Sequence, residues 1–237
     1  MKKILIIVMA LMPLLFSCKK EEIFKLVVTP SRVEIFSDET KKMSANASGA
    51  TFRVDDEFYA SIDDNNIIKA KKVGETEVIV SGNGKIKRVP LKIKPRHTLY
   101  PDLDKIMGKS KNAVVSLLGS NYSDGASGGC IYTDYNTYVK GIIVSFDNGK
   151  ATAAGVVISA SHMNKIVDYL LERYTYLGLY DDYFIHKNHD EDVAIGLTVY
   201  SASTLMVIYS PLSDSKSPEA SIKEMASSLI KSLEQHN

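Results

Sequence analysis

Between Lys25 and Lys94 the apolar residues fall in short strand-like runs and nowhere at the 3.6-residue spacing of a helix. The runs are Lys25-Leu26-Val27-Val28-Thr29 before Pro30, Arg32-Val33-Glu34-Ile35-Phe36, Thr51–Asp55, Asn66–Ala70, Thr76–Ser81 and Lys85–Lys94. A turn near Gly74 leads into the fifth run. Gly82-Asn83-Gly84 separates the last two and signals a tight hairpin, because such residues accept positive φ. A chain with no helical stripe must close strands on one another. Residues 24–96 are therefore expected to form an all-β sandwich.

Lys94-Pro95-Arg96-His97 reads as a short linker, and the pattern changes after it. Leu103, Ile106 and Met107, then Val114, Val115, Leu117 and Leu118, recur at helical spacing, with Gly108 between the pieces and Gly119 at their end. Asp102 and Ser110 stand where caps for these pieces belong. Asn121–Gly129 is rich in Ser, Gly and Asp and reads as a loop. Strands follow at Cys130–Tyr135, Tyr138–Phe146 and Ala153–Ser159, with Asp147-Asn148-Gly149-Lys150 turning between the last two. Ser161–Tyr174 is a second helix, carried by Ile166, Val167, Leu170 and Leu171. Further strands are expected at Tyr183–His186, Val193–Tyr200 and Leu205–Tyr209. Ser217-Pro218-Glu219 opens a last helix with proline at its first position, and its stripe is Ile222, Met225, Leu229, Ile230 and Leu233. This order implies an α+β module with an antiparallel sheet over residues 98–237. It also suggests a degenerate repeat of about 60 residues, a helix followed by three strands.

The first module resembles the bacterial immunoglobulin-like group 2 family. Val28-Thr29-Pro30-Ser31-Arg32-Val33-Glu34-Ile35 is similar to the family's opening strands, and Asp38-Glu39-Thr40 stands where the family has Gly-Glu-Thr. Tyr59-Ala60-Ser61-Ile62-Asp63 resembles its V-A-x-V-D segment. Ile68-Lys69-Ala70-Lys71-Lys72-Val73-Gly74-Glu75-Thr76-Glu77-Val78 follows its V-x-A-x-x-x-G-x-A-x-I signature. Asp38 and Asn66 replace glycines, and Phe52 stands where Trp is common. The resemblance implies an immunoglobulin-like sandwich with a structural or adhesive role at the cell surface. It brings no catalytic residues and no cofactor.

The first 17 residues read as a signal peptide. Lys2 and Lys3 precede an apolar run from Ile4 to Phe16, which falls short of the about 20 residues that span a bilayer. Leu15-Phe16-Ser17-Cys18 resembles a bacterial lipobox, which implies cleavage before Cys18 and acyl chains such as palmitate on that cysteine. Residues 18–23 are then a tether. Lys19-Lys20-Glu21-Glu22 within it resembles the surface-export signal of Bacteroidota lipoproteins. The expected location is the outer membrane, lipid-anchored, with the folded part facing outward.

Composition narrows the function further. The chain has 29 Lys and Arg against 28 Asp and Glu; losing Lys2 and Lys3 with the leader leaves 27 against 28, a net charge of −1. That balance gives no basic footprint for nucleic acid. The two cysteines are Cys18 and Cys130. With lipid on the first, the second has no intramolecular disulfide partner, and stability must come from packing.

Candidate chemistry is sparse. Gly128-Gly129-Cys130 would offer a nucleophile beside backbone N–H groups if His162 or His186 came close; otherwise it is a loop entering a strand. His186, His189 and Asp190 are the densest metal-capable set, or an ordinary polar hairpin connection. Asp55-Asp56-Glu57 and Asp63-Asp64-Asn65-Asn66 are either calcium loops or solvated turns. Tyr174, Tyr176, Tyr180 and Tyr183 form a candidate contact surface for a protein or glycan, with burial as the alternative. No phosphate loop, dinucleotide fingerprint, zinc-protease motif or nucleophile elbow is present, and tryptophan is absent. The expected function is a non-enzymatic binding or adhesion role for a cell-surface lipoprotein, a stalk presenting a head. The rivals are a hydrolase with its site in the second module and a periplasmic envelope-assembly protein.

Overall fold

The computed structural model describes residues 24–125 and 128–234. The leader, the tether, Cys18 and the side chain of Leu233 lie outside the described residues. The molecule is rich in β-structure, and nearly all its strand pairs are antiparallel.

Nine strands occupy the first part: β1 (Val28–Thr29), β2 (Val33–Phe36), β3 (Thr40–Lys42), β4 (Ser44–Ala45), β5 (Thr51–Val54), β6 (Ala60–Ile62), β7 (Ile67–Ala70), β8 (Gly74–Gly82) and β9 (Lys85–Lys94). They form a four-stranded sheet in the order β2-β9-β8-β5, a three-stranded sheet β3-β7-β6 and the pair β1-β4. β2 runs parallel to β9. One core joins both larger sheets, with Val33, Val78, Val80, Val89 and Leu91 on one side and Met43, Ala60 and Ile68 on the other. The β8–β9 turn has Asn83 at φ 48° and Gly84 at φ 69°, the conformation that Asn-Gly favours. Along β9, Val89, Leu91 and Ile93 share one parity and point inward. Ile86 has the opposite parity and is 71% exposed.

The second part is built on one eight-stranded antiparallel sheet. Its strands are β10 (Ser123–Asp124), β11 (Cys130–Thr133), β12 (Val139–Asp147), β13 (Lys150–Ser159), β14 (Thr175–Tyr180), β15 (Tyr183–Lys187), β16 (Val193–Ser201) and β17 (Thr204–Pro211). Their order is β10-β11-β12-β13-β17-β16-β15-β14. Helices α1 (Lys111–Leu118) and α2 (Met163–Arg173) cover one face through Val114, Leu118, Ile166, Tyr169 and Leu170. Helix α3 (Pro218–Glu234) covers the other through Ile222, Ala226 and Leu229.

The sequence expectation of a helix and three strands, repeated, becomes a helix and four strands, repeated. α1 leads β10–β13 and α2 leads β14–β17; β12 and β16 begin 54 residues apart. The halves meet where β13 pairs with β17, Val156 opposite Val207. β10 and β14 escaped the sequence pattern because one has two residues and the other is interrupted by Gly178.

Asp102 and Ser110 sit at the expected N-cap positions, yet neither side chain makes a capping bond. Asp102 is instead drawn to Arg173, whose Nε donates to its Oδ1 at 2.8 Å. The piece after Asp102 is a 3-10 turn, Leu103–Ile106. Ser217 does cap α3, its Oγ accepting from the Ala220 N–H at 3.2 Å, with Pro218 in the first turn. On the sheet, α3 lies over two glycines that flank Ile208 on neighbouring strands, Gly155 and Gly196. A Cβ on Gly196 would stand 2.4 Å from Ile222 Cγ2, so any larger residue there would force Ile222 or its helix to move.

Candidate functional site

The two parts of the chain are fastened at the C-terminal turn of α2. That turn leaves carbonyl groups without intrahelical partners. Lys72 reaches across and donates to the Leu171 and Tyr174 carbonyls at 2.6 and 2.7 Å. The Val73 N–H donates to the Glu172 carbonyl at 2.7 Å. The Glu172 carboxylate accepts from the Arg96 and His97 backbone N–H groups at 3.2 and 3.3 Å. The segment read as a linker is thus bonded to the helix. Burial lowers the Lys72 pKa from its ordinary value.

Beneath this seam lies a buried polar network. Arg173 donates to Asp102, to the Tyr169 carbonyl and to the His97 carbonyl, and its guanidinium stacks 3.9 Å from the Tyr169 ring centroid. The Tyr100 and Tyr209 hydroxyls are 3.0 Å apart. Tyr169 OH donates to the Tyr100 carbonyl at 3.1 Å, and Tyr174 OH donates to Asp104 at 2.9 Å. Burial raises the pKa of all four phenols. Burial also raises the Asp104 carboxyl, against the pull of the Tyr174 hydrogen bond.

A cleft of about 480 Å³ opens over the seam, walled by Phe58, Tyr59, Asp102, Asp104, Tyr174 and His189 among others. Its cations are committed to carboxylates: Lys92 to Glu75 at 2.7 Å, Lys105 to Asp102 at 3.2 Å and Arg173 to Asp102. His189 stacks on Phe58 with centroids 4.3 Å apart and meets Asp56 at 2.7 Å. The His189 contacts join the two parts across the cleft.

The other sequence candidates separate in space. His186 is buried on the sheet with its Nδ1 unpartnered, while His189 reaches to Asp56 and Phe58. Among the described residues no three His, Cys, Asp or Glu side chains gather as a metal site, Asp190 included. Burial lowers the His186 pKa to about 4. Cys130 is fully buried, and burial raises its thiol pKa, opposite to what a nucleophile needs. The ring contact of His162 is with Tyr138. In the acidic loops Asp63 Oδ1 accepts from the Asn65 and Ile67 N–H groups, and Asp56 Oδ1 accepts from the Phe58 N–H. Asp55 meets Arg88 at 3.3 Å. These carboxylates shape turns.

The tyrosine cluster divides. Tyr174 ends α2 and is only 3% exposed, so it belongs to the buried network and not to a contact surface. Tyr176 and Tyr180, on β14, are exposed, and Tyr183 is half-buried against the α3 side of the sheet. Leu179, Phe184 and Val199, which the sequence reading did not single out, are exposed as well. Leu179, Phe184 and Leu197 stand in one row across three strands, and Tyr176, His186 and Ile195 in the next. Tyr176, Leu179, Phe184 and Val199 therefore share one face. It is the α2 side of the sheet, past the reach of α2. Five of nine exposed large apolar side chains among the described residues fall between Tyr176 and Val199. That concentration makes this sheet edge the main apolar patch. The sequence held one signal for it: Val199 continues the inward parity of Val193, Ile195 and Leu197 past the covered region.

No family model matches the chain, and no curated protein matches it. Among solved structures it is similar to one titled "Structure of the S-layer protein SbsC, domains 5-6", at 9% identity over 81% of this chain and 86% of that chain, with a TM-score of 0.26. A likeness at that level does not identify a shared fold.

Proposed function

We propose that this chain is a lipid-anchored cell-surface protein with a non-enzymatic binding role, its immunoglobulin-like stalk presenting the eight-stranded α+β head. The lipobox-like Leu15-Phe16-Ser17-Cys18 and the Lys19-Lys20-Glu21-Glu22 tether support anchoring to the outer membrane through Cys18. The short-stranded two-sheet architecture of residues 24–94 supports the immunoglobulin-like reading.

The observation that carries the binding role is the exposed patch of Tyr176, Leu179, Phe184 and Val199 on one face of the sheet edge. A soluble surface gains nothing by leaving such side chains in water, and clusters of them mark contact sites. The fastened seam adds to this, because a head held rigidly on its stalk presents that edge in a fixed direction.

The test is capture from intact cells with the full-length protein and its Leu179→Asp/Phe184→Asp variant. The expected result is a partner, protein or glycan, retained by the parent and lost from the variant. Equal retention by both forms overturns the assignment to this patch. Protease shaving of whole cells distinguishes an outward-facing head from a periplasmic one, and mass spectrometry of Cys18 reads the acylation directly.

A further inference from the structure

We infer that the end of the stalk remote from the head seats on the anionic surface of the bilayer that holds the lipid, through Val27, Ile86 and the lysines around them; this rests on the anchoring at Cys18 proposed above. The chain enters the stalk at that end. A Cβ on Gly82 would stand 2.5 Å from Ala47 Cβ and 3.5 Å from Leu26 Cδ1, so the entering segment, the loop after β4 and the β8–β9 turn meet there. Asn46 ties the segment down: its Oδ1 accepts from the Val27 N–H at 2.8 Å and its Nδ2 donates to the Lys25 carbonyl at 3.0 Å. Thr51 at the start of β5 pairs with Ser81 near the end of β8. The other end of the same hairpin is at the seam, where Val73 precedes β8 and Arg96 follows β9. The ten residues of β9 separate the two ends by about 30 Å. Residues 18–23 reach at most about 20 Å, so a lipid on Cys18 keeps the entry end within that distance of the bilayer.

The chemistry of this end suits that surface. Val27 is 49% exposed and Ile86 71%. Ile86 stands between Lys85 and Lys87, and Lys25 is two residues before Val27; all three lysines are exposed. Residues 24–28, 44–52 and 80–88 hold no Asp or Glu. The acids next along the strands, Asp55 and Glu77, are engaged by Arg88 at 3.3 and 2.7 Å. Asp63 and Asp64 lie in the β6–β7 turn beside Met43, whose N–H donates to the Asn66 carbonyl at 2.9 Å, nearer the head than the Val27–Asn46 pair. The tether adds Lys19, Lys20, Glu21 and Glu22, and so no net charge. The near-zero charge of the whole chain therefore hides a local excess of three cations around two apolar side chains. An aliphatic side chain enters the acyl boundary while lysines extend their stems beside it and keep the ammonium among the phosphates. The pull of an anionic bilayer on such lysines fades within a Debye length, and the short tether holds them inside it. The acyl chains retain the protein, and the tip sets its posture: the stalk stands on end and carries the head clear of the headgroups.

The experiment places the lipidated mature protein in vesicles of equal parts phosphatidylcholine and phosphatidylglycerol, with a fluorophore on Ile86→Cys or, on the head, Val199→Cys. Cys130 is fully buried and takes no label. A nitroxide on the lipid headgroup should quench the fluorophore at residue 86 several times more strongly than at residue 199. Lys25→Glu/Lys85→Glu/Lys87→Glu should bring residue 86 down to the level of residue 199 while the protein still floats with the vesicles, and vesicles of phosphatidylcholine alone should do the same. Equal quenching at both sites in the first vesicles, or quenching at residue 86 that ignores both changes, overturns the docking and leaves the anchor standing. A parent protein that takes dye at Cys18 and does not float sinks the anchor instead. The tip is then read from the unacylated protein added to the phosphatidylglycerol vesicles at low salt. Flotation that the triple variant loses upholds it; no flotation, or flotation that the triple variant keeps, overturns it.

Discussion

The Lys72 ammonium stands 2.6 Å from the Leu171 carbonyl oxygen, joining residues 99 positions apart. It supplies a donor to carbonyls that the end of α2 leaves unpaired, and adds its charge to that of Arg173 in the same turn. Around it Val73, Arg96 and His97 complete a grip on a single helical turn.

Lys72→Met keeps most of the aliphatic stem and removes both hydrogen bonds. Charge-assisted bonds of this kind contribute about 1.5–3 kcal/mol each, and part of that is recovered by sparing the buried charge, so a net loss of about 2 kcal/mol is expected. The loss falls on the seam. Trypsin cleavage after Arg96 should therefore quicken several-fold under native conditions, while α3 and its sheet stay protected. Unchanged cleavage after Arg96 would show that the grip does not depend on Lys72.

His186 predicts a pH dependence with a definite sign. Its folded pKa is lowered to about 4 from 6.5, chiefly by burial. The unfolded chain takes up a proton near pH 6.5 while the folded protein resists it until about 4, so stability is lost as pH falls through that window. At pH 5 the cost is roughly 2 kcal/mol, or about 4–8 °C in Tm for a chain of this size. Melting curves between pH 7 and pH 5 should fall more steeply for the parent than for His186→Gln. Parallel curves would remove the imidazole as the cause.

Gly196→Ala places a methyl group where Ile222 Cγ2 already sits, 2.4 Å away. Overpacking of this kind costs about 1–3 kcal/mol. Denaturant midpoints should show the penalty in the single variant and a smaller added one when Gly196→Ala is placed on Ile222→Ala, because alanine lacks the Cγ2 that stands in the way. A penalty as large in the double variant as in the sum of the singles would mean that α3 simply shifts.

Cys130 should be unreactive toward maleimides in the folded state and label only at the rate of global unfolding. Its side chain is fully buried in the core beside Tyr132. Fast labelling at pH 7 under native conditions would reopen the nucleophile reading.

Local chemistry was the legible part of the sequence. Asn83-Gly84 and Asn148-Gly149 both form the positive-φ turns that their residue types demand. The parity of β9 separates Ile86 from Val89, and the structure follows it. Of the strands that went unread, β3, β4, β6 and β10 have three residues or fewer, too few to show a period, and β14 is interrupted by Gly178. Tyr174 misled for a different reason. It closes a helix whose geometry turns it inward, whereas Tyr176, two residues on, already obeys the alternation of a strand. The seam left no trace at all, since Lys72, Glu172 and Arg173 read locally as ordinary surface charges. Their partners lie some 70 to 100 residues away and become neighbours only once both sheets exist.

The place where the two halves of the large sheet meet has a cost during synthesis. β13 is complete at Ser159, but β17, its partner, begins only at Thr204. Until those intervening 44 residues have emerged, the apolar run Ala153–Ile158 has one side with nothing to bind. A chain leaving a ribosome or an export channel passes through that interval every time, and a chaperone or a slow exit that shields β13 until β17 arrives would decide how much of it reaches the folded state.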